Sequence, residues 1–221
     1  MTSKPTPLPH PKPRRSQDDR RETTQRALLQ ATIDCLIEYG YAGTTTRIVA
    51  DRAQVSRGAQ THHYATKHDL VVAAIEFLFD DQAQHFSEAF EKVPSDERTL
   101  GRALEELWAI VSGPQYAAVL EVVVAGRTDD QLRVVVHGVA LGLQQTITDL
   151  LIRFFPEVAD EASASLIIDL ALALVQGAAV SQMGGFGAPQ QVIAITKGLS
   201  AFLTPDVLRL LVPPPESDQH P

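Results

Sequence analysis

The sequence predicts an all-α protein with a small N-terminal helical domain and a larger helical domain after it. Apolar residues recur at intervals of three and four along most of the chain, as they do on one face of a helix. Residues that start helices (Ser, Thr, Asp) alternate with residues that end them (Gly, Pro), in the order that successive helices require. No segment shows a convincing two-residue alternation of apolar and polar side chains. Because 44% of the 221 residues are hydrophobic, the chain can fill a core.

Four helices are predicted in the first 92 residues. The first has an apolar face of Leu29, Ile33 and Leu36 and ends at Gly40, which suits the position after a helix C-terminus. Thr44 and Thr45 are both good N-caps for a short second helix, and Ser56 is one for a short third helix. The second to fourth helices are predicted at 44–53, 56–64 and 66–92.

Five more helices are predicted between Pro94 and the C-terminal tail. Gly113-Pro114 separates the first two, and Asp129 and Asp130 favour the start of the third. Pro189 suits the first turn of the last helix. The predicted segments are 95–112, 115–125, 129–154, 160–183 and 189–203.

The charge is distributed unevenly along the chain. Residues 1–70 contain eleven Lys/Arg and seven Asp/Glu, a net +4, whereas residues 71–221 carry a net −12. This basic head suggests a polyanionic partner at one end, although the basic tail alone could produce the imbalance. The single cysteine, Cys35, excludes a disulfide scaffold and fits a reducing cytoplasm. No secretory signal and no purely apolar run of about 18 residues is seen, so no membrane span is predicted.

Residues 45–64 have the pattern of a helix-turn-helix. Val49 and Ala53 share one face of the second helix, and Ala50 is small enough for the next helix to cross closely. Val55 fills the turn, and Ser56 caps the third helix. Such a unit places its second helix in the major groove of DNA.

The ordered set of motifs in residues 20–81 resembles the N-terminal DNA-binding domain of TetR-family transcriptional regulators. The residues that carry the resemblance are Gly40-Tyr41, Thr44-Thr45, Arg47, Ala50, Val55-Ser56, Gly58-Ala59, His62-His63-Tyr64, Lys67 and Asp69-Leu70. The sequence differs from the usual family pattern at Gln54 (usually Gly), Gln60 (Leu), Thr61 (Tyr) and Ala65 (Pro). A left-handed turn at Gln54 would cost about 1–2 kcal/mol.

Four regions are predicted, the two terminal ones from their proline-rich composition and the two between them from the resemblance. They are a disordered basic, Pro-rich arm (1–19), the DNA-binding domain (20–81), a helical effector-binding and dimerisation domain (82–212) and a disordered tail (213–221). The third helix contains no acidic residue, and its polar side chains can hydrogen-bond phosphates or base edges. The candidate DNA-binding residues are Thr45, Arg47, Arg57, Gly58, Ala59, Gln60, Thr61, His62, His63 and Lys67.

The last two long helices, about 160–183 and 189–203, are predicted to form a homodimer interface. The first is apolar nearly all round, with a row of Leu166, Leu170, Leu174 and Ala178, so both of its sides need covering. The second offers a stripe of Val192, Ile195, Leu199 and Phe202. A monomer that buries the same helix internally is the alternative. Two heads are needed to read the half-sites of a palindromic operator.

The resemblance also implies a pocket for a small-molecule effector among the middle helices. Plausible lining residues are Trp108, Tyr116, His137, Gln144 and Met183. For each of them, an ordinary place in the core or on the surface is the alternative. No cofactor or metal site is predicted, because His62, His63 and His68 are poorly spaced to share a metal.

The predicted function is a sequence-specific DNA-binding regulator, a repressor that an effector releases from its double-stranded operator. An enzyme is disfavoured, because no catalytic motif of the HExxH, GxSxG or phosphate-binding glycine-loop type is present. A ligand-binding or interaction module of the same fold that has lost DNA binding is the remaining alternative, and Gln54 and Thr61 are the residues that favour it.

Overall fold

The computed structural model describes residues 17–156, 161–202 and 207. Within these ranges every regular element is helical, which confirms the predicted all-α class. A single 3₁₀ turn, Ser95–Glu97, separates the fourth and fifth α-helices. The α-helices are α1 Gln17–Gly43, α2 Thr46–Arg52, α3 Arg57–His63, α4 Lys67–Glu91, α5 Leu100–Val111, α6 Gln115–Gly126, α7 Asp130–Phe154, α8 Glu161–Met183 and α9 Pro189–Ser200.

Side-chain caps determine where the helices of the head begin. The hydroxyls of Thr45 and Ser56 each accept a hydrogen bond from the backbone N–H three residues further on, both over 3.2 Å. Thr66 and Asp69 form a capping box at the start of α4, in which both hydrogen bonds measure 3.0 Å. Each such cap contributes about 1 kcal/mol. The predicted N-caps Thr45 and Ser56 are thereby confirmed.

Helix α1 is interrupted at Gly40, where φ is 68° and ψ is 177°, before one further turn ends at Gly43. The positive φ is a conformation that suits glycine. A Cβ atom at this position would lie 2.7 Å from a carboxylate oxygen of Glu121 in α6. Glycine is therefore favoured at residue 40 by the backbone conformation, while a larger residue would also displace the Glu121 carboxylate.

The head and the body share one hydrophobic core. Leu28, Leu36, Val49 and Leu70 of the head are all at most 1% exposed. Three residues beyond the head, Ala118, Val122 and Leu132, belong to the same cluster. The two parts of the protein are therefore packed together as well as connected.

The end of the predicted disordered arm differs from the structure, and the division at residues 81 and 82 stays a prediction. Residues 17–19, assigned to the disordered arm (1–19), form the first turn of α1. The boundary between the predicted domains 20–81 and 82–212 falls inside the continuous helix α4. Residues 1–16 and the predicted tail, 213–221, lie outside the described residues.

The body is built by α5 to α9 and the second half of α4. One of its clusters joins Leu104 and Tyr116 to Val175, Ala179 and Ile193, so it links α5 and α6 to α8 and α9. A second cluster is aromatic and centres on Phe90 of α4, which is fully buried. The ring centroid of Phe90 lies 5.0 Å from that of Phe154 and 5.7 Å from that of Phe155.

Helices α7 and α8 are long and apolar enough to cross a membrane by length and composition, with mean hydropathies of 1.3 and 1.8 in their most apolar stretches. This differs from the expectation from the sequence, which considered uninterrupted apolar runs only. In α8, part of the apolar surface packs into the core and part is exposed to solvent.

Candidate DNA interface and ligand cavity

The turn between α2 and α3 has the geometry of a helix-turn-helix. Val49 and Ala50 of α2 are buried, and the N–H of Val55 donates a hydrogen bond to the Ala50 carbonyl over 3.0 Å. Gln54 has a φ of 55° and is the one residue other than glycine with a positive φ in the described part of the chain. The left-handed turn expected at this position is therefore present, although glutamine rather than glycine forms it.

Helix α3 presents an exposed face without negative charge. Arg57, Gly58, Thr61 and His62 are exposed, while His63 is half-buried. Thr61 also donates its hydroxyl to the Arg57 carbonyl over 3.0 Å, which leaves its oxygen free to accept. Ala59 is half-buried and adds only a methyl group. This face can approach a duplex closely and offers donors for phosphates and base edges.

Gln60 is not part of this face, which corrects its assignment to the DNA-binding residues. Its side chain is only 2% exposed, and its amide nitrogen donates a hydrogen bond to the Tyr64 carbonyl over 2.7 Å. The buried side chain thereby hydrogen-bonds a backbone carbonyl at the C-terminal end of α3 from the protein interior. Its role is to stabilise the helix and not to contact DNA.

The predicted contacts from α2 are accessible. The Thr45 hydroxyl is used as the N-cap, so its side chain is held at the helix N-terminus, where backbone N–H groups favour an anion. Arg47 is exposed, and its Nε lies 3.9 Å from a carboxylate oxygen of Asp51, which is also exposed. Such a surface pair is weak, so it leaves Arg47 free to turn towards a phosphate.

Lys67 is held by the protein more firmly than the sequence indicates. Its ammonium group donates a hydrogen bond to the Tyr41 carbonyl and lies 3.9 Å from the centroid of the Tyr41 ring. Burial lowers the pKa of Lys67. Lys67 therefore joins the start of α4 to the end of α1, in addition to the phosphate contact that was predicted for it.

His63 lies where protonation is disfavoured. Burial is the main cause of its lowered pKa, and the positive charges of Arg21 and His62 add to the effect. The folded state therefore binds a proton less readily at His63 than the unfolded state does. The contribution of this residue to stability is complete above about pH 6.5 and is lost as the pH falls through the lowered pKa.

We expect the His63→Gln variant to lose less stability than the unmodified protein between pH 7.5 and pH 5.5, because glutamine takes up no proton. The measurement is the free energy of unfolding in urea at both pH values. His85→Gln, at an exposed position of α4, is the control. Identical pH dependence of the His63→Gln variant and the unmodified protein would contradict this expectation.

The body contains a cavity of about 580 Å³. Its walls come from α4 to α9, and they are almost entirely aliphatic and aromatic. The cavity is open on the side of Leu170, Ile195 and Leu199, which are 50%, 63% and 61% exposed in the single chain. The volume of the cavity is within the range of sites that bind small organic molecules.

Of the five predicted effector-binding residues, the structure places only Tyr116 in the wall of the cavity. Trp108 packs beside the cluster that contains Tyr116 but is not part of the wall. Gln144 hydrogen-bonds from α7 to Ser165 and Asp169 in α8. His137 and Met183 are exposed.

The other wall residues were missed because they were assigned to ordinary packing. On α4, the row Phe79, Ala83 and Phe86 continues past the head at helical spacing, and all three line the cavity. This row was the sequence signal for the cavity wall, because an apolar stripe on α4 that extends beyond the head must pack against the body. Phe154 and Phe155 at the end of α7 complete the aromatic side.

Helices α8 and α9 expose a large apolar surface. It includes residues of both helices and of the loop between them. The stripe predicted on α9 is exposed, but of the row predicted on α8 only Leu166 and Leu170 are exposed, since Leu174 is half-buried and Ala178 is buried. Surfaces of this kind mark sites of protein association. We call this surface the α8/α9 face, and its exposed members are Leu166, Leu170, Val180, Met183, Phe186, Val192, Ile195, Leu199 and Phe202.

Metal-binding geometry is absent from the part of the chain that the structure describes, where no group of three or more His, Cys, Asp or Glu side chains comes together. Among the described residues, the Nε2 atom of His68 and the hydroxyl oxygen of Tyr64 are buried without a hydrogen-bond partner.

A helix-turn-helix head packed on a helical body with an internal cavity defines the class of this protein. Residues 28–74 match the family model of the bacterial regulatory proteins of the tetR family. A solved structure from Pseudomonas aeruginosa PAO1, assigned as a transcriptional regulator, matches the fold with a TM-score of 0.67. It covers 89% of this chain and 100% of its own, at 23% identity. The head therefore matches the tetR family model in sequence, and the chain as a whole has the fold of this solved regulator.

Two relatives show how far the sequence similarity extends. An HTH-type transcriptional regulator of Mycobacterium tuberculosis H37Rv, itself described as uncharacterised, is 37% identical over 125 residues, or 57% of this chain and 64% of its own. The HTH-type transcriptional regulator CymR of Pseudomonas putida is 31% identical over 134 residues, or 61% and 63%. The matched part therefore spans less than two thirds of the length of these relatives.

Proposed function

We propose that the protein is a sequence-specific DNA-binding transcriptional regulator, a repressor that a small-molecule effector releases from its operator. The observation that carries this proposal is the exposed face of α3. This face has no acidic side chain, follows a helix-turn-helix turn and lies within the residues that match the family model. Arg57, Gly58, Thr61 and His62 would contact the duplex, and Thr45 and Arg47 would contact phosphates from α2.

A homodimer would bring two heads to one operator. The α8/α9 face supports this part of the proposal, because an apolar surface of this extent is unfavourable in water. A second copy would cover it and would also cover the open side of the cavity. Two-fold symmetry of the dimer then predicts a palindromic operator.

Effector control would act through α4. This helix begins at Lys67 beside the end of α1, and its second half contributes Phe79 and Phe86 to the cavity. A molecule that fills the cavity would shift α4 and thereby the separation of the two heads. The DNA-bound and effector-bound forms are then alternative states that oppose each other reciprocally.

A regulator that binds DNA operators would act in the cytoplasm. The family and the names of the relatives indicate regulation and not catalysis, and we assign no catalytic residue. A module of this fold without DNA binding is the second candidate. The observations that favour it are Gln54 and Thr61, which depart from the family pattern at the turn and on α3.

Selection of bound duplexes from a random pool tests the proposal directly, and a palindrome among the selected sequences is the expected result. On that operator, the Arg57→Ala variant should bind about tenfold more weakly, because a hydrogen bond to a charged group contributes about 1.5 kcal/mol. The slope of log affinity against log salt should fall by about 1 per subunit.

Lys92→Ala is the matched control, since it removes one positive charge about 37 Å from Lys67, at the far end of α4. Its affinity and salt slope should equal those of the unmodified protein. If no duplex is enriched, the second candidate is preferred. If the Arg57→Ala and Lys92→Ala variants bind the operator alike, Arg57 does not contact the duplex.

A further inference from the structure

The described residues that line the cavity include no Asp, Glu, Lys, Arg or His. Their polar members are few and uncharged. They are Gln82, Tyr116, Gln176, Thr196 and Ser200. A charged group inside this cavity would therefore have no counter-charge in the wall, and burial without a partner strongly disfavours an ion.

Two of the polar wall residues already use their hydroxyl protons within α9. The Thr196 hydroxyl donates to the Val192 carbonyl over 2.8 Å, and the Ser200 hydroxyl donates to the Lys197 carbonyl over 2.7 Å. Both groups thereby complete the backbone of their own helix. Neither hydroxyl therefore has a free proton with which to hydrogen-bond and orient a ligand.

Tyr116 is buried, whereas Gln82 and Gln176, the other two polar wall residues, are only half-buried. It is 9% exposed, and within the described part of the chain no hydrogen bond is made by its hydroxyl. Burial raises the pKa of Tyr116, which keeps the phenol neutral at physiological pH. The Tyr116 hydroxyl oxygen is not among the fully buried polar atoms that lack a partner in the described residues, so it stays accessible to a ligand that enters the cavity.

We propose that the effector is an uncharged, predominantly apolar molecule whose polar group hydrogen-bonds to the Tyr116 hydroxyl. The apolar wall supplies affinity through burial, and Tyr116 sets the orientation and selects for a small polar head. The inference rests on the proposed function only in that the bound molecule is called an effector. Binding to the cavity does not itself require DNA.

Charged analogues are rejected because they must become neutral to enter. At pH 7.5 the ionised form of a carboxylic acid with a pKa between about 4 and 5 exceeds its neutral form about 1000-fold. The protonated form of an alkylamine with a pKa near 10.4 exceeds its neutral form to a similar extent. Each should therefore bind at least about 100-fold more weakly than an alcohol of the same chain length. The affinity of the acid should rise about tenfold for each unit by which the pH is lowered.

The test uses the full-length protein without DNA and four eight-carbon probes, namely 1-octanol, octanoate, octylammonium and 1-chlorooctane. Binding is followed by calorimetry and by the fluorescence of Trp108, the single tryptophan, which packs beside the Tyr116 cluster. We expect 1-octanol and 1-chlorooctane to bind and the two ions to bind at least about 100-fold more weakly than 1-octanol.

The Tyr116→Phe variant isolates the polar contact. It should bind 1-octanol about fivefold more weakly, as the loss of one neutral hydrogen bond predicts, and should bind 1-chlorooctane as the unmodified protein does. Tyr39→Phe removes an exposed hydroxyl from α1 and should leave both affinities unchanged.

Three results would overturn the inference: no binding of 1-octanol, binding of octanoate or octylammonium as tight as that of 1-octanol, or equal loss of both neutral probes in the Tyr116→Phe variant. None of them depends on an operator. If the probes bind as expected and no duplex is ever enriched, the cavity assignment stands and the proposed regulator function fails. If an operator is found and the probes do not bind as expected, the proposed regulator function stands and the cavity assignment fails.

Discussion

Replacement of Leu199 by glutamate is expected to convert the protein into monomers and to weaken operator binding about 100-fold. Leu199 is 61% exposed in the single chain and lies on the α8/α9 face beside Ile195. In a dimer this face is dry, so a carboxylate would be buried without a partner at a cost of several kcal/mol. A loss of about 2.8 kcal/mol already corresponds to a hundredfold change in affinity.

Sedimentation of the Leu199→Glu variant measures the assembly, and titration of the selected operator measures the affinity. Gln190→Glu is the matched control, because it adds the same charge to α9 on nearly the opposite side of the helix. The control should remain dimeric. A dimer that survives the Leu199→Glu change would show that the α8/α9 face is covered by something other than a second copy.

The Gln60→Glu variant is expected to lose about 3 kcal/mol of unfolding free energy or more at pH 7. Its carboxylate would be buried at a site where the glutamine amide donates to the Tyr64 carbonyl, so a donor is replaced by a negative charge. The loss should shrink as the pH approaches the pKa of the carboxyl group, since a protonated acid can donate again.

Thr61→Glu is the neighbouring control on the exposed face of α3. It should change stability by less than about 0.5 kcal/mol but should greatly weaken DNA binding, because it adds a negative charge against the duplex. Gln60→Leu keeps the volume and loses only one hydrogen bond, so it should cost less than about 1.5 kcal/mol. Urea unfolding and operator titration of the three variants separate the two roles. Equal stability of the Gln60→Glu and Thr61→Glu variants would show that Gln60 is not buried.

The sequence predicted the head well because its local signals agree with one another. Thr45 and Ser56 begin the helices where capping chemistry requires, and Gly40 and Gln54 have the positive φ values that the pattern indicated. These features depend on residues close together in the chain. The same is true of the apolar stripe of Val192, Ile195 and Leu199, which repeats over about two helical turns.

The errors have two physical causes. Helix α3 has only seven residues, too few for periodicity to decide which side of it Gln60 faces, and a polar residue at that position was assumed to be outside. The cavity is formed by helices that are distant in the chain. Which side chains of α4, α5 and α8 meet there depends on how the helices cross, and single residues such as His137 or Met183 contain no information about that.

Tyr41 is held from two sides by opposite charges. Its N–H donates to the Glu121 carboxylate over 2.9 Å, and its carbonyl accepts from the Lys67 ammonium. The end of α1, the start of α4 and the middle of α6 are thereby fastened at a single residue. Rotation of the head on the body must break one of these charge-assisted bonds or bend α4. The movement of the head that effector control requires must therefore overcome these two bonds at Tyr41.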